Sequence, residues 1–292
     1  MSSAPGRSLG GTVVEDSLRG VGFTLPGEQC ALVETQRPRR APFTAVLAQN
    51  AWNVLPRAEF TRLAAPYPPR MVTRMRLRRL VSAMNLRRAR HVVCLSEAMG
   101  DLVRASGVPG ERVVVAPAYL ALDMAEPATT GAEQAGEPYV LVPGTMTWYK
   151  DPQQALTTAA ELGLAQVRFA GPDDGSGCWE DVQQVALAKG LRVSLETLGR
   201  DGMRRALREA ALVVLPSRLE SLGFSLGEAL HHADRVVASA LPAHVEAATW
   251  LGSSPAWLPD YDVVAAAPTT LRSGPDVLAH WVAVGEALGL RR

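Results

Sequence analysis

From residue 139 onward, apolar residues come in short continuous blocks, separated by stretches in which they return every three or four positions. The blocks YVLVPG (139–144), VRFAG (167–171), LRVSLETLG (191–199), ALVVLPS (211–217) and RVVAS (235–239) are rich in β-branched residues and end at Gly or Ser. Blocks of this length predict strands buried on both faces. The intervening DPQQALTTAAEL, CWEDVQQVALAKG and RDGMRRALREA carry the helical period. Strand and helix in alternation predict a parallel sheet sheathed by helices, with ligands met at the carboxyl ends of its strands.

The first half is less regular. RHVVCLSEAMGDLVRASGVPGERVVVAP (90–117) predicts a strand, a Ser-capped helix, a Gly-Pro loop and a strand. CALVET and FTAVLAQ predict two earlier strands, and residues 1–28 offer several glycines and an irregular strand. EPATTGAEQAGEP (126–138), small, polar and rich in Pro and Gly, predicts a linker. GPDVLAHWVAVGEALGL (274–290) predicts an amphipathic terminal helix that packs back across the domains. The expected division is an N-terminal domain over 1–125, the linker, a second domain over 139–273 and the terminal helix over 274–292.

Composition narrows the class. The 292 residues amount to about twice a typical domain, and a hydrophobic fraction of 47% is that of a folded chain. Cys30, Cys94 and Cys178 are scattered without paired spacing. That argues against a disulfide framework or a zinc site and fits a reducing cytoplasm. No apolar run approaches about 18 residues, and the opening MSSAPGRSLGGTVVEDSLRG lacks a charged start followed by an apolar stretch. Neither a membrane span nor export is expected.

The formal net charge of +1 conceals an asymmetry. Residues 1–125 hold 17 Arg and no Lys against 9 acidic residues, or +8, and residues 126–292 hold 13 basic against 20 acidic residues, or −7. Eight arginines fall within RMVTRMRLRRLVSAMNLRRAR (70–90), interleaved with Met, Leu and Val. The stretch reads as the solvated face of a packed helix, or as an attractor for an anionic acceptor, a lipid surface or nucleic acid. The absence of aromatic residues for base stacking weighs against nucleic acid.

Candidate chemistry concentrates in SRLESLGFSLGEAL (217–230), directly after an apolar block. Ser225-Leu-Gly-Glu228 has the spacing of a capping box, in which the serine accepts from the Glu228 amide and the glutamate reaches back. Glu220 has no cap to explain it and stands in a loop just past a strand, where ligands are met. GPDDG (171–175) reads as a sharp turn rather than a metal site. His231 and His232 lack ligand spacing and read as structural, and Trp250 and Trp257 as cover for the core.

Together with EPYVLVPGTMTWYKDPQQAL, LGRDGMRRALREAALVVLPS and DRVVASALPAHVEA, the stretch PSRLESLGFSLGEAL resembles the nucleotide-sugar half of retaining GT-B glycosyltransferases of family 4, over roughly residues 90–250. The resemblance implies an α/β fold of two Rossmann-type domains facing a cleft. It implies transfer of a sugar, with retention, from a nucleotide diphosphate sugar to a hydroxyl or amine acceptor, without metal or other cofactor. Glu220 would then receive hydroxyls of the donor sugar and Glu228 the hydroxyls of the ribose, charge-assisted pairings in both cases. The amides of Gly223 and Phe224, with Ser221 and Leu222 before them, would lie by the sugar and diphosphate. Lys150, in the loop that begins at Gly144 and Thr145, would meet the diphosphate and stabilise charge growing on the leaving nucleotide. Gln49 and Asn50 stand on the acceptor side where many members have a histidine. They can orient hydroxyls but cannot shuttle protons. Retaining members are held to use the leaving phosphate as base, so the mechanism survives that replacement.

Three departures accompany the resemblance. Thr145 stands in place of a phosphate-binding arginine, which leaves Arg218 and Arg200 as candidate second contacts. Ser221 replaces a usual glycine. The N-terminal domain is abbreviated, with SLGG (8–11) as a trace of its glycine-rich loop. A shortened acceptor domain fits a small or flat acceptor, help from a second copy of the chain or a partner subunit, or loss of catalysis. Two further readings therefore stay open: a catalytically degenerate binding or partner subunit, favoured by Thr145 and Gln49 and opposed by the Glu220, Glu228 and Lys150 set, and an arginine-driven nucleic-acid binder whose affinity falls steeply with salt.

Overall fold

Two parallel sheets, one from each half of the chain, carry the architecture. The computed structural model describes residues 16–23, 30–31, 34–38, 40–115, 136–253, 255–258, 274–287 and 290. The first sheet has the order β1 (Cys30–Ala31), β2 (Ala45–Ala48), β3 (His91–Cys94), β4 (Val113–Val115). Its central strands are buried, and Ala45 through Ala48 run in register with His91 through Cys94. The helices of this half are α1 (described over 16–20), α2 (Arg57–Ala64), α3 (Pro69–Arg88) and α4 (Glu97–Ala105). As the sequence predicts, Ser96 caps α4: its Oγ accepts from the Met99 amide at 3.0 Å.

The second sheet contains β5 (Val140–Pro143), β6 (Gln166–Ala170), β7 (Arg192–Glu196), β8 (Leu212–Leu215), β9 (Val236–Ser239) and β10 (Ala256–Leu258), in the order β10-β9-β8-β5-β6-β7. Helices α5 (Pro152–Glu161), α6 (Cys178–Ala188), α7 (Arg200–Glu209), α8 (Phe224–His232) and α9 (Pro242–Trp250) make the crossovers. The five expected strands and the helices between them are all present. The sequence pattern misses β10, which is only three residues long. In this doubly wound order the connections leave β5 and β8 in opposite directions, so a crevice opens at their carboxyl ends. The loops after β5 and β6 approach so closely that a Cβ on Gly171 would lie 2.1 Å from the Gly144 carbonyl oxygen.

The halves share a core. Leu47, Val93 and Leu95 belong to the same buried cluster as Leu141, Val213, Leu215 and Leu226. The terminal helix α10 (Gly274–Ala287) joins it through Trp281 and Val284, together with Leu18 and Phe23. Phe23 packs so tightly on this helix that a Cβ on Gly285 would lie 2.3 Å from its ring. The terminal helix thus packs back on the N-terminal half. Cys94 and Cys178 are buried and unpaired, and burial pushes both thiols up to about 12, which makes them unreactive. The SLGG stretch and linker residues 126–135 lie outside the described residues. Among the described residues no helix is long and apolar enough to cross a membrane, and no three His, Cys, Asp or Glu side chains gather as a metal site.

Candidate functional site

The crevice between β5 and β8 is organised around a buried ion pair. β8 runs out through Pro216 and Ser217 into the loop that bears Glu220, and β5 runs out through Gly144 into a 3-10 turn that bears Lys150. Lys150 Nζ meets Glu220 Oε1 at 2.5 Å, with each side chain 15% exposed. The Ser217 hydroxyl donates to the same carboxylate oxygen at 2.8 Å. The lysine stem crosses Gly144, which has φ 114; a Cβ there would lie 3.5 Å from Lys150 Cε. Asp151, next in the chain, adopts left-handed backbone at φ 48, a conformation that costs a non-glycine residue about 1–3 kcal/mol. Its carboxylate accepts from Arg218 Nε at 2.6 Å, while the Arg218 amide donates to the Tyr149 carbonyl at 2.7 Å. These bonds tie the two loops together and fix where Lys150 points.

The electrostatics keep both members charged. Burial raises the Glu220 carboxyl, but the Lys150 ammonium, the nearby His244 and the hydrogen bonds from Lys150 and Ser217 outweigh it, and the net shift is downward. Burial lowers the Lys150 ammonium, yet Glu220 and Tyr149 carry it above its ordinary value. A carboxyl whose folded pKa is depressed contributes stability above its unfolded value and loses it as pH falls through the folded one. The wild-type urea midpoint is therefore expected to fall more steeply than that of Glu220→Gln between about pH 5 and about pH 3. Parallel curves would show that the pair adds no such stability.

One sequence expectation is corrected here. Ser225 and Glu228 form no capping box, because α8 starts two residues earlier than that motif requires. Gly223 is its N-cap at φ 77, with no side-chain cap bond, and Ser225 is already inside the helix. The cause is the approach of α9: a Cβ on Gly223 would lie 3.4 Å from the Ala243 carbonyl, from Ala247 Cβ and from His244 Cδ2. A glycine in left-handed conformation accepts that crowding and starts the helix there. Glu228 is half-buried one turn into α8.

A cavity of about 380 Å³ brings the two halves of the prediction together. Glu220, Ser221, Leu222 and Phe224 line it from the second half, and Gln49 and Asn50 line it from the end of β2. Gly223 stands between lining residues at the start of α8. Gly144, against which the Lys150 stem lies, is outside the lining, as are Thr145, Lys150 itself and Glu228. Arg218 is engaged with Asp151, and neither it nor Arg200 lines the cavity. The guanidinium that does is Arg78 of α3.

Sequence reasoning missed three further residues of this region. Glu34 is 2% exposed, and its carboxylate accepts from the amides of Gln49 at 3.1 Å and Asn50 at 3.2 Å and from Asn53 Nδ2 at 2.8 Å. Burial raises its carboxyl despite these bonds. The signal was a lone acid at the end of CALVET with no cap to serve. His244, fully buried, holds Nδ1 2.9 Å from the Ser239 carbonyl, while Ser239 donates to the Ser217 carbonyl at 2.6 Å. Its Nε2 has no hydrogen-bond partner, and burial lowers its pKa. Nothing in PAHVEA marks it. Tyr149 lines the cavity and meets Trp52 edge to face at 5.6 Å.

Polar contacts close the seam around the cavity. Tyr67 and Thr147 share a 2.5 Å hydroxyl contact, Ser96 donates to the Ser221 carbonyl at 2.6 Å, and Glu246 accepts from the Glu97 and Ala98 amides at 2.7 and 3.0 Å. The last places a carboxylate of the second half at the positive N-terminus of α4. The turn reading of GPDDG holds, with Asp173 and Asp174 accepting from the amides two residues on. The His231 and His232 rings on α8 lie 4.3 Å apart, tilted at 53°, and do not line the cavity.

Comparison with known proteins agrees with this arrangement. Residues 3–118 match the family described as glycosyl transferase 4-like domain. Sucrose-phosphate synthase from Thermosynechococcus elongatus superposes with a TM-score of 0.58 at 17% identity, over 85% of this chain and 66% of that one. WaaG, a glycosyltransferase involved in lipopolysaccharide biosynthesis, gives 0.56 at 14% identity, over 86% and 67%. HepE from Anabaena, solved with UDP and glucose, gives 0.51 at 15% identity, over 70% and 61%. The chain thus spans about two thirds of the length of these structures, and at such identities the likeness shows the GT-B fold. No curated protein matches the sequence.

Proposed function

We propose that this chain, whose residues 3–118 match the glycosyl transferase 4-like domain family and whose sheets have the GT-B arrangement, transfers a sugar from a nucleotide diphosphate sugar to a hydroxyl or amine acceptor with retention. The observation that carries the reading is the Lys150–Glu220 pair at the β5/β8 switch point, whose Glu220 lines one cavity with Gln49 and Asn50. The donor's diphosphate takes the start of α8 and Lys150. The ammonium has three donors, so it can serve a phosphate oxygen while keeping Glu220. Glu220 retains one oxygen for the hydroxyls of the sugar, and Glu228 takes the ribose. As the bond from the anomeric carbon to the phosphate oxygen breaks, charge gathers on the leaving diphosphate, where Lys150 and the amides of Gly223 and Phe224 stabilise it. The acceptor oxygen bonds to the same face of that carbon and gives its proton to the departing phosphate. Gln49 and Asn50, held by Glu34, orient the acceptor.

The direct test is to supply nucleotide sugars with simple acceptors and follow the product by proton NMR. The expected product keeps the anomeric configuration of the donor, at a rate that EDTA leaves unchanged. An inverted product or chelator-sensitive turnover contradicts the mechanism. One observation favours a second reading, a binding or partner subunit without turnover: Lys150 is already paired with Glu220 and Arg218 with Asp151, so the donor side has little uncommitted positive charge. Nucleotide binding without transfer or hydrolysis would establish that reading.

A further inference from the structure

We propose that the acceptor is a small polyhydroxy molecule bearing an anionic group, a phosphate or a carboxylate, and that Arg78 receives that group. Calling the ligand an acceptor rests on the sugar-transfer reading; the anion site itself rests on the cavity. Of the seven arginines of α3, Arg78 alone lines the cavity. Its neighbour fixes it there. Arg79 donates to the Trp52 carbonyl at 2.5 Å and the Leu55 carbonyl at 2.6 Å, and its guanidinium lies 4.5 Å from the centre of the Phe60 ring. These contacts pin the middle of α3 to the 3-10 turn Ala51–Asn53 and the residues after it, and so set the direction in which Arg78 leaves the helix. Arg78 is exposed as well as cavity-lining, which puts it at the mouth. Among the described residues no acid pairs with it; burial and the like charge of Arg74, one turn back, both work against its charge. A guanidinium stays charged all the same, and this one lacks its anion.

The wall around Arg78 offers donors. Glu34 lines the cavity, but its two oxygens are taken up by the Gln49 and Asn50 amides and by Asn53 Nδ2, and burial raises its carboxyl toward the neutral form. Glu220 is paired with Lys150. Asn50 turns its Oδ1 to the Trp52 amide at 3.1 Å, which leaves Nδ2 to donate. Trp52, also a lining residue, buries an indole Nε1 that has no hydrogen-bond partner, an arrangement that a ligand oxygen would relieve. A cation would find both carboxylates already engaged. A neutral sugar would use Asn50 and leave Arg78 in water. A phosphate or carboxylate takes two parallel bonds from the planar guanidinium, and its hydroxyl-bearing body reaches Asn50 and Gln49. The volume of about 380 Å³ suits a molecule of sugar size, since enclosing pockets run from about 300 to 1,000 Å³.

The test titrates the full chain with matched probes by ligand-observed NMR: glucose 6-phosphate and glucuronate against glucose, and glycerol 3-phosphate against glycerol. Salt is held at about 0.15 M, where exposed charges more than about 8 Å away are screened. At least one anionic probe is expected to bind about 10–100-fold tighter than its neutral parent, the worth of a hydrogen bond to a charged group, and the phosphate and carboxylate arms identify the anion. Arg78→Gln should abolish that preference at an unchanged melting temperature, because the side chain is exposed. Arg78→Lys, which keeps the charge without the fork, should restore part of it. Arg74→Gln, outside the lining, should keep most of it. The proposal is overturned if no anionic probe outbinds its parent, if the preference survives Arg78→Gln, or if Arg74→Gln removes it as completely, which would make it diffuse attraction to the helix. It is also overturned if Arg78→Gln cancels stabilisation by a nucleoside diphosphate, because Arg78 would then serve the donor. An Arg78-dependent preference in a chain that no nucleoside diphosphate stabilises would uphold the anion site and remove the sugar-transfer reading.

Discussion

Lys150→Met is expected to lower turnover of the nucleotide sugar by about 10²–10³-fold, the scale on which a single preorganised charge at the leaving group acts. The substitution removes the cation that meets the departing diphosphate. It also orphans Glu220, whose carboxylate is 15% exposed and leans on Lys150 and Ser217. Removing one partner of a largely buried pair costs about 3–5 kcal/mol when water is fully excluded, and less here because both groups keep some solvent contact. Melting should therefore fall alongside kcat. Lys150→Arg is not expected to restore activity: the planar guanidinium does not replace a compact ammonium whose stem lies against Gly144. Wild-type turnover in Lys150→Met, with a donor and acceptor on which the wild type is active, would remove this residue from the mechanism.

Glu220→Gln is expected to lower kcat/KM by roughly 10–100-fold, the difference between charged and neutral acceptors facing two sugar hydroxyls. The amide preserves the size of the side chain and an acceptor for the Ser217 hydroxyl, so the loop geometry survives. What changes is charge: the Lys150 ammonium loses the carboxylate that raises its pKa, so its desolvation stands uncompensated and its pKa falls. A pH profile should consequently lose activity at a lower alkaline limit in Glu220→Gln than in wild type. An unshifted profile with unchanged kcat/KM would leave the glutamate a loop-fixing residue only.

How much of this was legible in the sequence follows from how local each signal is. The strands β5 to β9 are continuous apolar blocks whose identity depends on little beyond themselves, and they were readable. So was the proximity of Glu220 and Lys150, because β5 and β8 are neighbours in one parallel sheet and their carboxyl ends open on one crevice. The start of α8 was not readable, because it is set by the backbone of α9 against Gly223, a contact about 20 residues away in sequence. Glu34 and His244 escaped for the same reason: Glu34 acquires its role from Asn53 and the β2 loop, and His244 from its approach to Gly223 and Glu220, all distant in sequence. The family resemblance lay mainly in the second half, whereas the family match falls on residues 3–118, where periodicity says least. The arginines were unreadable in the same way. The loop arginine nearest Glu220 in sequence is spent on Asp151, and the guanidinium at the cavity comes from α3.

The central claim is that the β5/β8 crevice is a nucleotide diphosphate site, and melting against a panel of nucleoside diphosphates tests it most directly. A ligand that binds only the folded chain, at about 100 times its dissociation constant, adds about 2.7 kcal/mol and should raise the melting temperature by about 5 °C or more. The account predicts that one nucleoside diphosphate does this selectively and that Glu228→Ala, which removes the carboxylate assigned to the ribose, abolishes most of the shift. If no nucleoside diphosphate raises the melting temperature of the wild-type chain, the crevice is not a donor site and the account fails.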